Sequence, residues 1–393
     1  MKTVSLLPTF KDMFIRRNFD IIIISLGRKN MEGTPLVRIC LAVGTILLFI
    51  GTCVVPVLAQ TTGKTLPTSR ETWLYVGGGG PGNYTTIQVA VEAATDGDTV
   101  FVYDDSSPYH EQVVINHSIN LLGEQRQTTV LNATTGYPGP YSPLIRIQVD
   151  NVTISGFTLL PISNGFGIEI YTNNNHITDL SFERSGYGIF IASGNINVPL
   201  LKGNTIDHSY FMDNECGIRS IGVRRTTIAH NNFQANNRGL VLDHAFESNV
   251  SSNFFTDAVT CILDDWGYHN TFQRNTMNHS ELGIGLTMCK DLVTENNFVD
   301  AGAGALFVNA PVIETLYKIQ GIVNQSWAQY YNDYRVIEAS HWRHNYWGKS
   351  SLFPHPIFGY TMLFVFLFVI HEGGLPNRVA FDWRPALTPF QPY

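Results

Sequence analysis

Ile228-Ala-His-Asn-Asn-Phe-Gln-Ala-Asn-Asn-Arg-Gly-Leu240 is echoed further along the chain by Val250-Ser-Ser-Asn-Phe-Phe-Thr-Asp-Ala-Val-Thr-Cys-Ile262. Counting from Ile228 or Val250 as position 0, both carry apolar residues at 0, +5 and +12 and Asn at +3. Position +11 is Gly239 in the first and Cys261 in the second. The pattern extends outward. Ile154, Ile177, Ile206, Phe272 and Val293 are further zero positions. They recur about every 22 residues, a period typical of repeat architectures, with one longer step from Ile177 to Ile206. Gly165 closes the first of these coils. Alternations of period two, such as Gly239-Leu-Val-Leu242, replace any helical period.

A repeat of about 22 residues with short strands and no room for a helix is one coil of a parallel β-helix. The fold class is therefore all-β, a right-handed parallel β-helix solenoid. Coils stacked about 4.8 Å apart turn positions 0, +5 and +12 into internal columns. Asn231, Asn253, Asn275 and Asn296 occupy +3 in consecutive coils, where amides at a corner hydrogen-bond along the stack. Trp342 as position 0 puts Asn345 in the same ladder, so the last regular coil ends near Gly348. The stretch from Val293 to Trp342 is too long for one coil and must hold an insertion, at about 307–336, rich in aromatics. A solenoid's open ends need covering. Tyr84–Ala94 reads as an amphipathic capping helix with Thr85 or Thr86 as N-cap, and Thr99 opens the first strand. Residues 349–393 form an irregular C-terminal cap whose apolar run, Phe358–Ile370, is too short to span a bilayer.

The chain is 393 residues long, with only 15% charged residues and 31 Asn, 20 of them between Asn151 and Asn297. Ile39–Ala59 is an uncharged, largely apolar run behind Arg28, Lys29 and Arg38, ending Val57-Leu58-Ala59. It reads as a signal peptide cut before Gln60, or as a signal anchor if uncut, being long enough to span a bilayer. Either way the body lies outside the cytoplasm, extracellular or at the cell surface, or in a periplasm where one exists. Met31 begins a leader of ordinary proportions, 31–59, which makes 1–30 a start-site extension and 60–83 a linker before the solenoid at 84–348. Residues 60–393 hold 18 Lys/Arg and 29 Asp/Glu, an acidic body that excludes nucleic acid as a partner. The membrane is a partner only through the uncut leader. Seven sequons, at Asn83, Asn116, Asn132, Asn151, Asn249, Asn278 and Asn324, are candidate glycosylation sites. Beyond the leader's Cys40 and Cys53, three cysteines remain, Cys216, Cys261 and Cys289, without metal-ligand spacing. They read as small buried hydrophobes.

Several strings together carry a family resemblance. They are Thr86–Ala94, Gly97-Asp-Thr-Val100, His110-Glu-Gln-Val-Val-Ile115, Ile119-Asn-Leu-Leu-Gly123, the Asn coils, Asn345-Tyr-Trp-Gly348 and Val379-Ala-Phe-Asp-Trp-Arg-Pro385. The chain resembles the right-handed parallel β-helix repeat proteins of the pectin-lyase-like superfamily, in the flavour labelled NosD-like or periplasmic copper-binding, most of all its exported archaeal members. The resemblance covers about residues 73–390. It implies the fold and leaves function open among lyases, hydrolases, adhesins and metal-handling accessory proteins.

Candidate chemistry comes from register. Asp243 and Asp265 share +15, where alternation turns them outward on adjacent coils, and His244 and Trp266 follow at +16. Stacked carboxylates beside an indole suit a glycan ligand, or a catalytic pair. Arg219, two coils earlier at +13, is the nearest candidate base. Asp264 falls at +14, nominally inward, where it needs a partner. No cofactor is implied, although the carboxylate pair would suit Ca²⁺. His208 and His230 share +2 near Asp179, and His341 and His344 flank a corner. Neither pair has the Cys/Met company a copper site requires, so no metal site is read. The reading that follows is a non-catalytic structural or carbohydrate-recognition module at the cell surface, with polysaccharide or cell-surface glycan as partner. A polysaccharide lyase or glycoside hydrolase using Asp243 and Asp265 comes second, and a metal-site accessory protein third. Sequencing of the protein isolated from cells should find Gln60 at its N-terminus and the chain outside the cytoplasm. An intact chain in the cytosol would remove the export reading.

Overall fold

Rows of like residues, one per coil, pack against each other when successive coils keep register, and strand pairing fixes that register. Ile154 pairs with Ile177, Ile177 with Ile206, Ile206 with Ile228 and Ile228 with Val250, all in parallel. The row continues through Phe272 and Val293 to Trp342. The structure is a computed structural model that describes residues 72–133, 142–162, 164–193, 199–287, 289–309, 340–348, 355–361, 363–365, 368–370, 378–382, 385–386 and 388–390. The leader, the linker up to residue 71, Asn324 and positions 310–336 of the expected insertion lie outside these residues. All described residues fall in one unit, Ser69–Tyr393.

Almost everything described is strand. Eight short strands, from Val130–Asn132 to Asn297–Val299, form one parallel sheet. A 23-stranded sheet makes the rest of the wall, turning bends where nine-residue strands such as Cys216–Arg224 and Arg238–Phe246 run on unbroken. The solenoid starts earlier than the visible repeat. Leu74, Val100 and Leu121 extend the zero row below Ile154, at irregular intervals along the chain. The first strand is thus Trp73–Val76 rather than one opening at Thr99. In the coil of Ile154, Ile168 pairs with Ile189, so Gly167 and not Gly165 takes the +11 register; a longer preceding turn shifts it.

Each coil turns at corners built alike. The residue at +2 sits in the left-handed region, from His208 (φ 49°) to His230 (φ 57°), and so do those at +7 and −3, such as Asp213 and Glu247. Left-handed backbone costs a non-glycine residue about 1–2 kcal/mol. The residue after each corner points inward and repairs the hydrogen bonding. Asn253 donates its backbone N–H and its Nδ2–H to Asn275 Oδ1, both at 3.0 Å, and Nδ2–H again to Ile228 O at 2.8 Å. The same pattern joins Asn231 to Asn253, Asn275 to Asn296 and Asn296 to Asn345. A second ladder at +8 holds Ser185, Asn214 and Asn236. A third, at −2, starts at Asn175 and Asn204 and is rebuilt from different residues in later coils.

The +5 column is a stack of rings. Phe182, Phe211, Phe233 and Phe255 lie nearly parallel with centroids 4.6–4.8 Å apart, and Phe298 stacks on Trp347 at 4.3 Å. Glycine at +11 makes room for it. A Cβ on Gly217 or Gly239 would meet the next coil's phenylalanine ring at 2.7 Å or 2.6 Å. Cys261 replaces that glycine in the one coil whose successor carries Met277 instead, and the flexible thioether accommodates the added atoms.

The N-terminal helix is shorter than its sequence reading, Ile87–Ala93, with Thr86 as N-cap. Glu111 accepts hydrogen bonds from Ile87 and Gln88 N–H, so a side chain from the next coil finishes the helix end. It is the one described helix, and no described helix is long and apolar enough to cross a membrane. At the other end the cap is more regular than expected. His355–Thr361 adds a parallel strand to Ala303–Asn309 and pairs antiparallel with Arg378–Asp382. Residues 307–309 thus belong to a strand rather than to the insertion. Asn253→Ala should strand corner donors and cost about 1–3 kcal/mol in chemical denaturation. Phe255→Ala should cost about 3–5 kcal/mol through the hole left in the ring stack. Wild-type melting of both variants would contradict the register.

Candidate functional site

The outward row expected from the sequence exists as a line of paired residues. Asp243 pairs with Asp265, between Ile221 on one side and Thr287 on the other. Both carboxylates are half-buried. His244 Nδ1 is hydrogen-bonded to Asp243 Oδ1, and the His244 ring stacks on Trp266 at 5.9 Å with planes 8° apart. Trp266 is itself at φ 61°, left-handed backbone that a bulky residue seldom adopts. Burial pushes the Asp265 carboxyl above its usual range; a hydrogen bond from Thr287 opposes this and the charge of Asp243 adds to it. Arg219 acts on Asp265 only through its charge, from two coils away.

The histidines go elsewhere. His208 and His230 stack on each other at 5.2 Å on the outer corner, and the carboxylate nearby is Asp207, 3.3 Å from His208, not Asp179. Asp179 pairs with Arg126, whose guanidinium lies 4.2 Å above the Tyr210 ring. Arg126 and Tyr210 line a shallow groove of about 280 Å³ on the eight-stranded sheet. His341 is exposed on its strand, and His344 takes the left-handed +2 corner. The described sequon asparagines, Asn83, Asn116, Asn132, Asn151, Asn249 and Asn278, all reach the surface, Asn116 and Asn151 most fully.

Two features escaped the sequence reading. The first is an aromatic face on the first coil, where Trp73 and Tyr75 alternate outward and pack against Phe101 and Tyr103, with centroids 5.1–6.3 Å apart. Trp73 is 49% and Tyr75 38% exposed. Alternation in Trp73-Leu-Tyr-Val76 was the available signal.

The second lies inside, behind Asp265. Asp264 replaces the leucine of its interior column, between Leu242 and Leu286, and is fully buried. Its Oδ2 accepts from Asn270 Nδ2 at 2.9 Å. Asn270 belongs to the −2 ladder, which runs from Ser248 through Asn270 and Asp291 to Ser340. Cys289 completes the group, its Sγ accepting from Gly267 N–H at 3.2 Å and lying 3.1 Å from Asp264 O. Burial raises all three groups, with Asp291 pushed up to about 7 and Asp264 and Cys289 well above their ordinary values. Cys289 is thus more than a small hydrophobe; Cys216 and Cys261 are buried free thiols.

The description "Right handed beta helix region" belongs to the protein family whose pattern matches residues 146–311. The chain folds as a right-handed parallel β-helix, and the described coils extend beyond that match on both sides. No curated protein matches it. Among solved structures, ORF18 of Geobacillus virus E2 is 15% identical with a TM-score of 0.35, covering 57% of this chain and 49% of its own. Tailspike protein 2 of bacteriophage CBA120, in its enzymatically active domain, is 14% identical with a TM-score of 0.44, covering 60% of this chain and 40% of its own. The A-module of the Azotobacter vinelandii mannuronan C-5 epimerase AlgE6 is 14% identical with a TM-score of 0.40, covering 70% and 83%. The chain spans about half or less of the length of the two viral proteins. None of the three informs the chemistry of this chain.

A Cβ on Gly267 would lie 2.0 Å from Asp264 Oδ2, whereas one on Gly285 would meet only flexible leucine side chains, at 3.1 Å or more. Gly267→Ala should therefore lose about 1–3 kcal/mol in denaturant titration, and Gly285→Ala much less. Equal losses would mean that the interior cluster is not packed against Gly267.

Proposed function

We propose that this is an exported, surface-associated β-helix protein that recognises a polysaccharide or cell-surface glycan without cleaving it. One observation carries the reading: Asp243 and Asp265 stand in register on adjacent strands, with His244 and Trp266 beside them. Carboxylates whose backbones are held about 4.8 Å apart by strand pairing can accept sugar hydroxyls at a regular spacing, or share a Ca²⁺ that the sugar completes. The strand scaffold holds that spacing without further ordering on binding, which lowers the entropic cost of association. Lyase-type elimination is left out because the nearest Arg or Lys in this register, Arg219, stands two strands from Asp265, about 10 Å by strand spacing. A neutral or acidic chain bridged by cation would suit this acidic row better than an acidic chain alone.

The test is a glycan array run with and without Ca²⁺, alongside lyase and reducing-sugar assays on the same chain. The expected result is binding without product, weakened about tenfold or more by Asp243→Asn with Asp265→Asn, as for loss of charge-assisted hydrogen bonds. Product formation abolished by Asp265→Asn would overturn the non-enzymatic reading. Binding unchanged in the double variant but lost in Trp73→Ala would move the site to the aromatic face of the first coil.

A further inference from the structure

The interior cluster presents a physical problem that its own hydrogen bonds do not solve. Asp264 and Asp291 are 0% and 2% exposed, and each leaves one carboxylate oxygen, Asp264 Oδ1 and Asp291 Oδ2, without a hydrogen-bond partner. Among the described residues neither forms an ion pair with Lys, Arg or His. A buried carboxylate with no counter-charge is among the costliest groups a core can hold. A thiol lies in the same place: one oxygen of each carboxylate and Cys289 Sγ are all within 4.8 Å of one another.

The remaining contacts have the form of a support around a missing positive charge. Asn270 holds both carboxylates from behind, its Nδ2–H on Asp264 Oδ2 and its backbone N–H on Asp291 Oδ1 at 2.7 Å. Each carboxylate is thus fixed through one oxygen and offers the other, as in a monodentate ligand oriented by an outer hydrogen bond. Gly267 donates its N–H to Cys289 Sγ, an interaction that favours thiolate, and its lack of a Cβ is what lets Asp264 enter. In the metal-free alternative a proton shared between the two carboxyls pairs the orphan oxygens, while the Cys289 thiol donates to Asp264 O at 3.1 Å and Thr287 O at 3.2 Å.

We propose that Asp264, Cys289 and Asp291 bind one thiophilic divalent cation of the zinc type inside the solenoid. One sulfur and two carboxylate oxygens form a donor set that Zn²⁺ accepts, with a fourth position left for water. A thiolate argues against Ca²⁺ or Mg²⁺, and two hard oxygens with no thioether argue against Cu⁺. The site tethers neighbouring coils: Asp264 on Thr260–Asp265, Asp291 on Lys290–Thr294, and Cys289 just before the latter. Full burial closes it to substrate, so the ion's role is to lock coils together. It is independent of the glycan reading.

The test uses the full chain, unfolded in chelator and refolded with Zn²⁺, with Co²⁺ or with chelator alone. About one equivalent of Zn²⁺ should remain per chain after gel filtration, with a higher melting temperature than after refolding in chelator. Co²⁺ should produce thiolate-to-metal charge-transfer absorption that Cys289→Ser abolishes. In Asp264→Asn, metal retention and the metal-dependent rise in melting should both be lost while the β-sheet circular dichroism stays. Three results would each overturn the proposal: no retained metal in wild type, equal retention in wild type, Cys289→Ser and Asp264→Asn, or identical melting of the wild type with and without Zn²⁺. If Cys289→Ser fails to fold, the charge-transfer band of the wild type decides alone.

Discussion

A chain that coils must bend several times per rung, and each bend turns backbone amides inward where water cannot reach them. The corners here meet that constraint with a left-handed residue followed by an inward polar one, whose side chain takes up the donors of the coil before it. The device is directional. In the +3 ladder every asparagine donates toward the C-terminal neighbour, Asn231 to Asn253 and onward to Asn345. This chain ends on a group that accepts and does not donate. Asp382 is that group: its fully buried Oδ2 accepts from Asn345 N and Nδ2 and from Trp347 Nε1. The aspartate of Phe381-Asp-Trp383 therefore terminates the ladder, and a C-terminal segment that pairs antiparallel with the last added strand is held by the same bond.

Rigid rungs are also what make the outer surface chemically definite. Strand pairing, not any local motif, sets Asp243 beside Asp265 and the aromatic residues of Trp73–Val76 beside those of Thr99–Val102. The two faces differ in kind, one acidic and one aromatic. Both depend on alternation within strands whose inward neighbours are fully buried, so neither can rotate away without opening the core.

Legibility in the sequence followed regularity. The columns at 0 and +5 and the asparagines at +3 repeat with one kind of residue per position, so a nearly constant spacing was enough to find them. The −2 ladder was hidden because its rungs are Asn175, Asn204, Thr226, Ser248, Asn270, Asp291 and Ser340: several chemistries meet one geometric need, and no single letter recurs. The first coils were hidden by turns of unequal length, which erase a period while leaving the pairing intact, and the same cause misassigned Gly165. Asp264 was placed inward by alternation alone, but its company was not legible. Cys289 and Asp291 reach it because one coil stacks on the next, and ligands a whole coil apart in the chain resemble no local motif.

A solenoid of near-identical coils faces a difficulty that globular proteins do not: shifting the stack by one coil preserves most contacts, so the native register is only weakly preferred by its repeats. The irregular positions break that degeneracy. Slipped by one coil, Cys261 would face a phenylalanine ring in place of Met277, with its Cβ where glycines leave about 2.6 Å. Asp264 would keep Asn270, six residues along its own turn, but lose the Cys289 and Asp291 side chains that the following coil brings to it. Both exceptions lie in the coil that begins at Val250, midway along the regular stretch, where a slip from either direction must pass through them. A buried polar residue whose partners from the next coil exist in one register only trades stability for that register, as a buried asparagine does in a coiled coil. On this argument the core aspartate is tolerated because the repeat around it is so regular.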